Sequence, residues 1–184
     1  MTAQLLLDGR FDAWLARAGA PAPLWLFVHV PKTAGSSLAA DLGALMGAYR
    51  SIHIDHLDRA RTAQARYDDA TEAFVALHRS SPCRFASGHV QFRHVRRIQE
   101  GVPGTRLVTM LREPVARLVS DYLYQRSPMH PLAEEVRARI PDFAAFVELP
   151  GQRNRAARHL LPQAAGAGDP AEAVRALGAR YAFI

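Results

Sequence analysis

Leu24-Trp25-Leu26-Phe27-Val28-His29-Val30-Pro31-Lys32-Thr33-Ala34-Gly35-Ser36-Ser37-Leu38 is the stretch from which the fold is read. Leu24 to Val30 is a continuous apolar run rich in β-formers, the pattern of a strand buried on both faces. Pro31 to Ser36 cannot continue it and reads as a tight turn. Ser37 to Tyr49 follows as a helix with small residues along one side. A buried strand that turns through small residues into a helix N-terminus presents backbone N–H groups and a positive dipole end to an anion. Ser36 and Ser37 add hydroxyl donors, and Lys32 adds a full charge.

Lys32 is distinctive in composition. The chain has 184 residues, with 23 Lys and Arg, and Lys32 is the one lysine. A lone lysine kept among arginines points to a site that takes a compact ammonium and not a planar fork. The turn is not a Walker A loop, in which the lysine follows the second glycine of GxxxxGK[ST]; here Lys32 precedes Gly35, with no glycine earlier in the turn.

The same strand-to-turn pattern recurs further on. Arg106 to Leu111 is a clearly apolar strand that ends in Arg112-Glu113-Pro114. Pro114 suits the first position of a helix running to about Gln125, with Ser120 about two turns in. An arginine at the carboxyl end of a strand faces the crevice where α/β proteins bind ligands. Glu113 beside it reads as the partner that orients Arg112.

Around these two anchors lie shorter elements. Residues 3–18 read as an amphipathic helix on Leu6, Leu7, Phe11, Trp14 and Leu15. Ile52 to Leu57 reads as a short strand, Ala60 to Arg79 as a helix, and Arg84 to His89 as a strand. Helices are expected at about 132–139, 142–149, 152–161 and 170–179. Gln163 to Asp169 is an Ala/Gly-rich turn, and Tyr181 to Ile184 the start of a strand. Strands alternating with helices predict one α/β domain over 1–184, with a core of 24–184, a helix within 1–20 and a central parallel sheet. A chain ending on an apolar strand is expected to be truncated at its C-terminus.

Composition is globular, at 49% hydrophobic and 22% charged residues. The net charge of +6 favours an anionic partner without choosing one. No signal-peptide pattern and no span-length apolar run are present, and the single Cys83 excludes an internal disulfide. Both favour a cytoplasmic location. Cys83 reads as a small buried hydrophobe. His53-Ile54-Asp55-His56 lacks a further ligand set, so no metal is expected.

Together, Pro31-Lys32-Thr33-Ala34-Gly35-Ser36-Ser37 and Leu111-Arg112-Glu113-Pro114-Val115-x-Arg117-Leu118-x-Ser120-x-Tyr122 resemble the 5′-phosphosulfate loop and the 3′-phosphate motif of PAPS-dependent sulfotransferases. PAPS is 3′-phosphoadenosine 5′-phosphosulfate, and PAP is the product left when its sulfuryl group departs. The nearest subgroup is the carbohydrate sulfotransferases of the uronosyl 2-O type, and the resemblance spans roughly residues 24–160. It implies a P-loop-like sulfotransferase fold that moves the sulfuryl group of PAPS to a hydroxyl, without a metal. The acceptor it implies is an anionic or neutral glycan, with no nucleic acid partner.

Residue by residue, the resemblance assigns Lys32 to the phosphosulfate and its bridging oxygen. Thr33, Ala34, Gly35, Ser36 and Ser37 form the 5′-phosphate loop. Arg112 and Ser120 take the 3′-phosphate. Ala86-Ser87-Gly88-His89-Val90 resembles the segment that carries the catalytic base, which makes His89 the base; Ser87 stands where some relatives have a second histidine. Asn154-Arg155-Ala156-Ala157-Arg158 resembles an acceptor-side pattern, with Asn154 and Arg158 as substrate contacts. Two other readings stand beside this one. A non-catalytic module that binds PAPS or sulfated glycan would share the donor motifs. A nucleotide kinase would need a Walker A order and a strand ending in a metal-binding Asp, where this chain has Arg112.

Overall fold

The computed structural model describes residues 24–55, 57–58, 60–162 and 169–183. The expected helix over 3–18, His56 and most of the turn at Gln163 to Asp169 lie outside these. The described chain runs β1 (Trp25–Val28), α1 (Gly35–Met46), β2 (Tyr49–Ile52), α2 (Ala63–Ser80), β3 (Phe85–Gly88), α3 (Phe92–Gly101), β4 (Arg106–Thr109), α4 (Pro114–Arg126), α5 (Ala133–Arg139), α6 (Phe143–Val147), α7 (Arg155–Leu160), α8 (Pro170–Arg180) and β5 (Tyr181–Phe183). The five strands form one sheet in the order β2-β3-β1-β4-β5, and every pairing is parallel. The protein is thus an α/β fold with a central parallel sheet and helices on both faces.

Strand side chains alternate between faces, and β1 shows why its whole run is apolar. Trp25 and Phe27 pack with Phe85, Val108 and the α1 residues Ala39, Leu42 and Met46. Leu26 and Val28 enter the larger core on the other side, with Phe74 and Val75 of α2, Val95 and Ile98 of α3, and Leu160 of α7. Full burial of one such side chain is worth about 1.5–3 kcal/mol.

Two elements differ from the sequence reading. The second strand lies at Tyr49–Ile52 rather than Ile52 to Leu57. Gly47, at φ +62, ends α1, and Ala48 is also left-handed at φ +43, so the chain reverses early. The strand sits on the sheet edge with Tyr49 and Ser51 exposed; an edge strand needs no apolar run. The second difference is α3, a helix the reading left out. It buries His94, Val95 and Ile98 along one side and exposes Arg93, Arg96 and Arg97 on the other. The Gln91 N–H donates to His94 Nδ1 at 3.0 Å, so at the third helical position an imidazole does what a capping box usually assigns to Glu or Gln, with Gln91 as the N-cap.

Pro114 occupies the first turn of α4, as expected. Cys83 is buried, with its Sγ 3.4 Å from His78 Nδ1, and burial pushes its thiol pKa up. Among the described residues no helix is long and apolar enough to cross a membrane.

Candidate active site

The carboxyl ends of β3, β1 and β4, three neighbouring strands, open onto one cleft of about 1100 Å³. Lys32, Ala34, Gly35 and Ser36 after β1, His89 after β3, and Arg112 and Ser120 after β4 all line it, as does Arg158. Parallel topology accounts for the convergence: every strand of such a sheet delivers its following loop to the same edge.

The turn after β1 is wound tightly. Lys32 and Ala34 both have left-handed backbones, at φ 70 and φ 63, with Thr33 between them outside that region. Non-glycine residues adopt this conformation at a cost of about 1–3 kcal/mol and concentrate at functional sites. Alternating handedness turns successive N–H groups toward one side and forms an anion-binding concavity. The buried Thr33 hydroxyl donates to Val30 O at 2.9 Å and so braces the turn. Helix α1 then begins with Ala34 as its N-cap, no side-chain cap and no acidic residue in the first turn. Its first N–H groups therefore have no side-chain acceptor. By contrast Thr62, Glu113, Asp142 and Asp169 cap α2, α4, α6 and α8 with side-chain oxygens.

Gly35 is required by contact. A Cβ there would fall 2.4 Å from Cδ2 and 2.5 Å from Nε2 of His29, and 2.9 Å from the Phe27 ring. Lys32 Nζ lies 3.9 Å from the centroid of the Tyr124 ring, a cation–π contact across the cleft from α4. Arg112 Nη1 donates to Lys32 O at 3.4 Å and links the two motifs directly.

Glu113 does not serve as an ion-pair partner for Arg112. Its two carboxylate oxygens accept from the N–H groups of Val115 and Ala116, at 2.9 and 2.6 Å. These two bonds, more than Arg112, hold its carboxyl pKa below the ordinary value.

His89 is half-buried, and its Nδ1 lies 2.8 Å from His29 O. A carbonyl oxygen can only accept, so Nδ1 carries the proton and the neutral ring has its lone pair on Nε2. The His29 and His89 rings are 4.3 Å apart between centroids. His159 is buried behind them, with Nδ1 donating to Val90 O at 2.9 Å; burial is the main cause of its pKa falling to about 4.

Of the two residues of the acceptor-side pattern, Arg158 lines the cleft and Asn154 does not. Asn154 is exposed, has φ 49 and is the N-cap of α7; it does not line the cleft. The Arg158 guanidinium donates to the carbonyls of Pro150, Gly151 and Arg153 and so ties down the loop before α7. Arg155, between them in sequence, does line the cleft. Its Nη1 donates to Asp121 Oδ2 at 2.5 Å, while Arg117 Nη1 reaches the same oxygen at 3.4 Å and Gln125 Nε2 donates to Oδ1 at 3.0 Å. Ser37 is exposed in the first turn of α1 and, like Thr33, is not among the lining residues.

Sequence reasoning did not single out His29, Tyr124, Asp121 or Arg155. His29, Asp121 and Arg155 were inside the quoted stretches, and Tyr124 lies two residues beyond the second motif. Asp121 is 2% exposed and Arg117 7%. Asp121→Ala would leave the buried Arg117 uncompensated and Arg155 without its anchor. It is expected to cost about 3–5 kcal/mol of stability, read as a lowered urea midpoint. A cost under about 1 kcal/mol, the range of surface pairs, would show that Asp121 does not hold these cations.

No protein-family model matches this chain, and no curated protein matches it.

Proposed function

We propose that this chain is a PAPS-dependent sulfotransferase with the P-loop-like sulfotransferase fold, acting on a hydroxyl of a glycan in the cytoplasm. One observation carries the reading. The Lys32–Ser36 turn, the Arg112 and Ser120 pair and His89, recognised separately in sequence, meet on one cleft at adjacent strand ends. The strand order, with the anion loop after central β1, supports the same fold.

In this reading the turn and the uncapped start of α1 take the 5′-phosphate, and Arg112 and Ser120 the 3′-phosphate. The acceptor oxygen forms a bond to sulfur while the bond from sulfur to the 5′-phosphate oxygen breaks in line. The electron pair of that bond goes to the phosphate, next to Lys32. The hydroxyl proton goes to His89 Nε2. Positioning and electrostatics supply most of such a transfer, and the chain's own cations can neutralise the leaving charge.

The test is donor selectivity. PAP is expected to raise the melting temperature by several degrees at a hundredfold excess over its Kd, a stabilisation of about 2.7 kcal/mol. ATP, without a 3′-phosphate for Arg112 and Ser120, is expected to do much less. Equal shifts with ATP and PAP would remove the basis of the assignment. A shift with PAP but no PAPS turnover on any hydroxyl acceptor would favour a binding module.

A further inference from the structure

The cleft contains a polar side chain with no part in the reaction as described so far. His29 follows β1, lines the cleft and is 9% exposed. Its ring is held on three sides: stacked on Phe27 at 5.4 Å and 17°, against the α-carbon of Gly35, and beside the His89 ring. The other buried histidines among the described residues all use their rings. His78 meets Cys83, His94 meets Gln91 and Asp68, and His159 meets Val90 O. No described residue forms a hydrogen bond to either ring nitrogen of His29, although its backbone N–H and carbonyl are both engaged. The His29 ring nitrogens are not sealed in the core: they keep access to the cleft, where a bound ligand can take the hydrogen bond that no described residue makes.

The location indicates which atom that ligand presents. His29 lies between Gly35, where the leaving phosphate would be cradled, and His89, which would receive the acceptor proton. In an in-line displacement the sulfur passes between these two points. We propose that His29 is a further catalytic residue, which donates the N–H of its imidazole to a peripheral oxygen of the sulfuryl group in transit. The inference rests on the sulfuryl-transfer reading above.

Its charge state fits the role. Burial, followed by the nearby His89, His159 and Lys32, lowers the His29 pKa to about 4. At neutral pH the ring is therefore an uncharged donor with one N–H. It can stabilise charge developing on the sulfuryl oxygens without opposing protonation of His89, as a second imidazolium 4.3 Å away would. Its fixed packing means that no reorganisation is needed as the charge develops.

The test uses His29→Phe, which keeps a planar ring on Phe27 and Gly35 but has no donor, and His29→Asn, which restores a donor on a smaller frame. PAP binding is measured by calorimetry, and cleavage of PAPS to PAP, with water as acceptor if no other is known, under single-turnover conditions. His29→Phe is expected to bind PAP like wild type and to cleave PAPS about 100-fold more slowly; His29→Asn is expected to recover about tenfold of that loss. Cleavage by His29→Phe within about threefold of wild type would overturn the inference. So would a fall in PAP affinity as large as the fall in rate, which would make His29 a prop for the phosphate loop. If His29→Phe does not fold, His29→Gly decides: PAP affinity equal to wild type with undiminished cleavage by His29→Gly would overturn the role. Wild-type protein that neither binds PAP nor cleaves PAPS would refute the underlying reading, an outcome separable from a failure confined to the variants.

Discussion

Lys32→Ala is expected to lower sulfuryl transfer by roughly two to three orders of magnitude, the loss that follows removal of a main stabiliser of developing negative charge. The cause is local. The ammonium is the only lysine charge in the chain, and it projects from a turn whose backbone is left-handed on both sides of Thr33. It lies on the face of Tyr124, a contact that gives up a cation readily to a stronger anion nearby. PAP affinity should fall less than the rate, because the loop N–H groups and Arg112 remain. Lys32→Arg should rescue poorly: a planar fork cannot take the position of a point charge in so tight a turn. Both numbers come from one comparison of turnover and PAP affinity in the three proteins. Full activity of Lys32→Arg would show that the lone lysine is an accident of composition.

His89→Ala is expected to remove most transfer and leave PAP affinity nearly intact, since in the proposed reaction the base touches the acceptor hydroxyl and not the donor's phosphates. General-base catalysis typically contributes about 10²–10⁴-fold. His89→Gln should resemble Ala, because an amide occupies the space without accepting a proton at neutral pH. The pH profile is an independent check. With Nδ1 donating to His29 O, protonation occurs at Nε2 and removes the lone pair that would take the acceptor proton. Activity should therefore fall as pH drops through the imidazole pKa and rise to a plateau above it. A flat profile together with an active His89→Gln would rule out the assignment.

Much of this geometry was legible in the sequence because the informative residues lie on the most buried strands. Leu24 to Val30 and Arg106 to Leu111 are apolar runs with no competing explanation, and Lys32 and Arg112 follow directly at their ends. Elements that depend on partners were less visible. Tyr49–Ile52 is half-exposed at the sheet edge and owes its existence to pairing with Phe85–Gly88. Helix α3 is entered through Gln91 and His94, which carry no start signal. Within the site, Asn154 and Arg158 fitted one linear pattern, yet only Arg158 lines the cleft, while Asn154 is the exposed, left-handed N-cap of α7. Arg155 reached the cleft because Asp121, 34 residues earlier, holds its guanidinium. A sequence offers such pairings only as many equal possibilities.

The order β3-β1-β4 along the cleft also divides labour by location. Everything proposed to hold the donor follows the central strand β1 or its neighbour β4, where the Arg112 bond to Lys32 O fastens the two together. The groups that the proposed reaction puts on the acceptor side come from β3, α2 and α7; among the described residues, β3 and the loop after it reach the start of the β1 turn through two bonds, His29 N–H to Gly88 O and His89 Nδ1 to His29 O. The first half can stay constant while the second is remodelled, because replacing a cleft-lining α2 side chain leaves the bond from Arg112 to Lys32 O intact. On the proposed reaction, such a scaffold is suited to acquiring new acceptors by substitutions on one flank, so libraries aimed at changing the acceptor belong at Arg66 and Tyr67, two lining residues of α2.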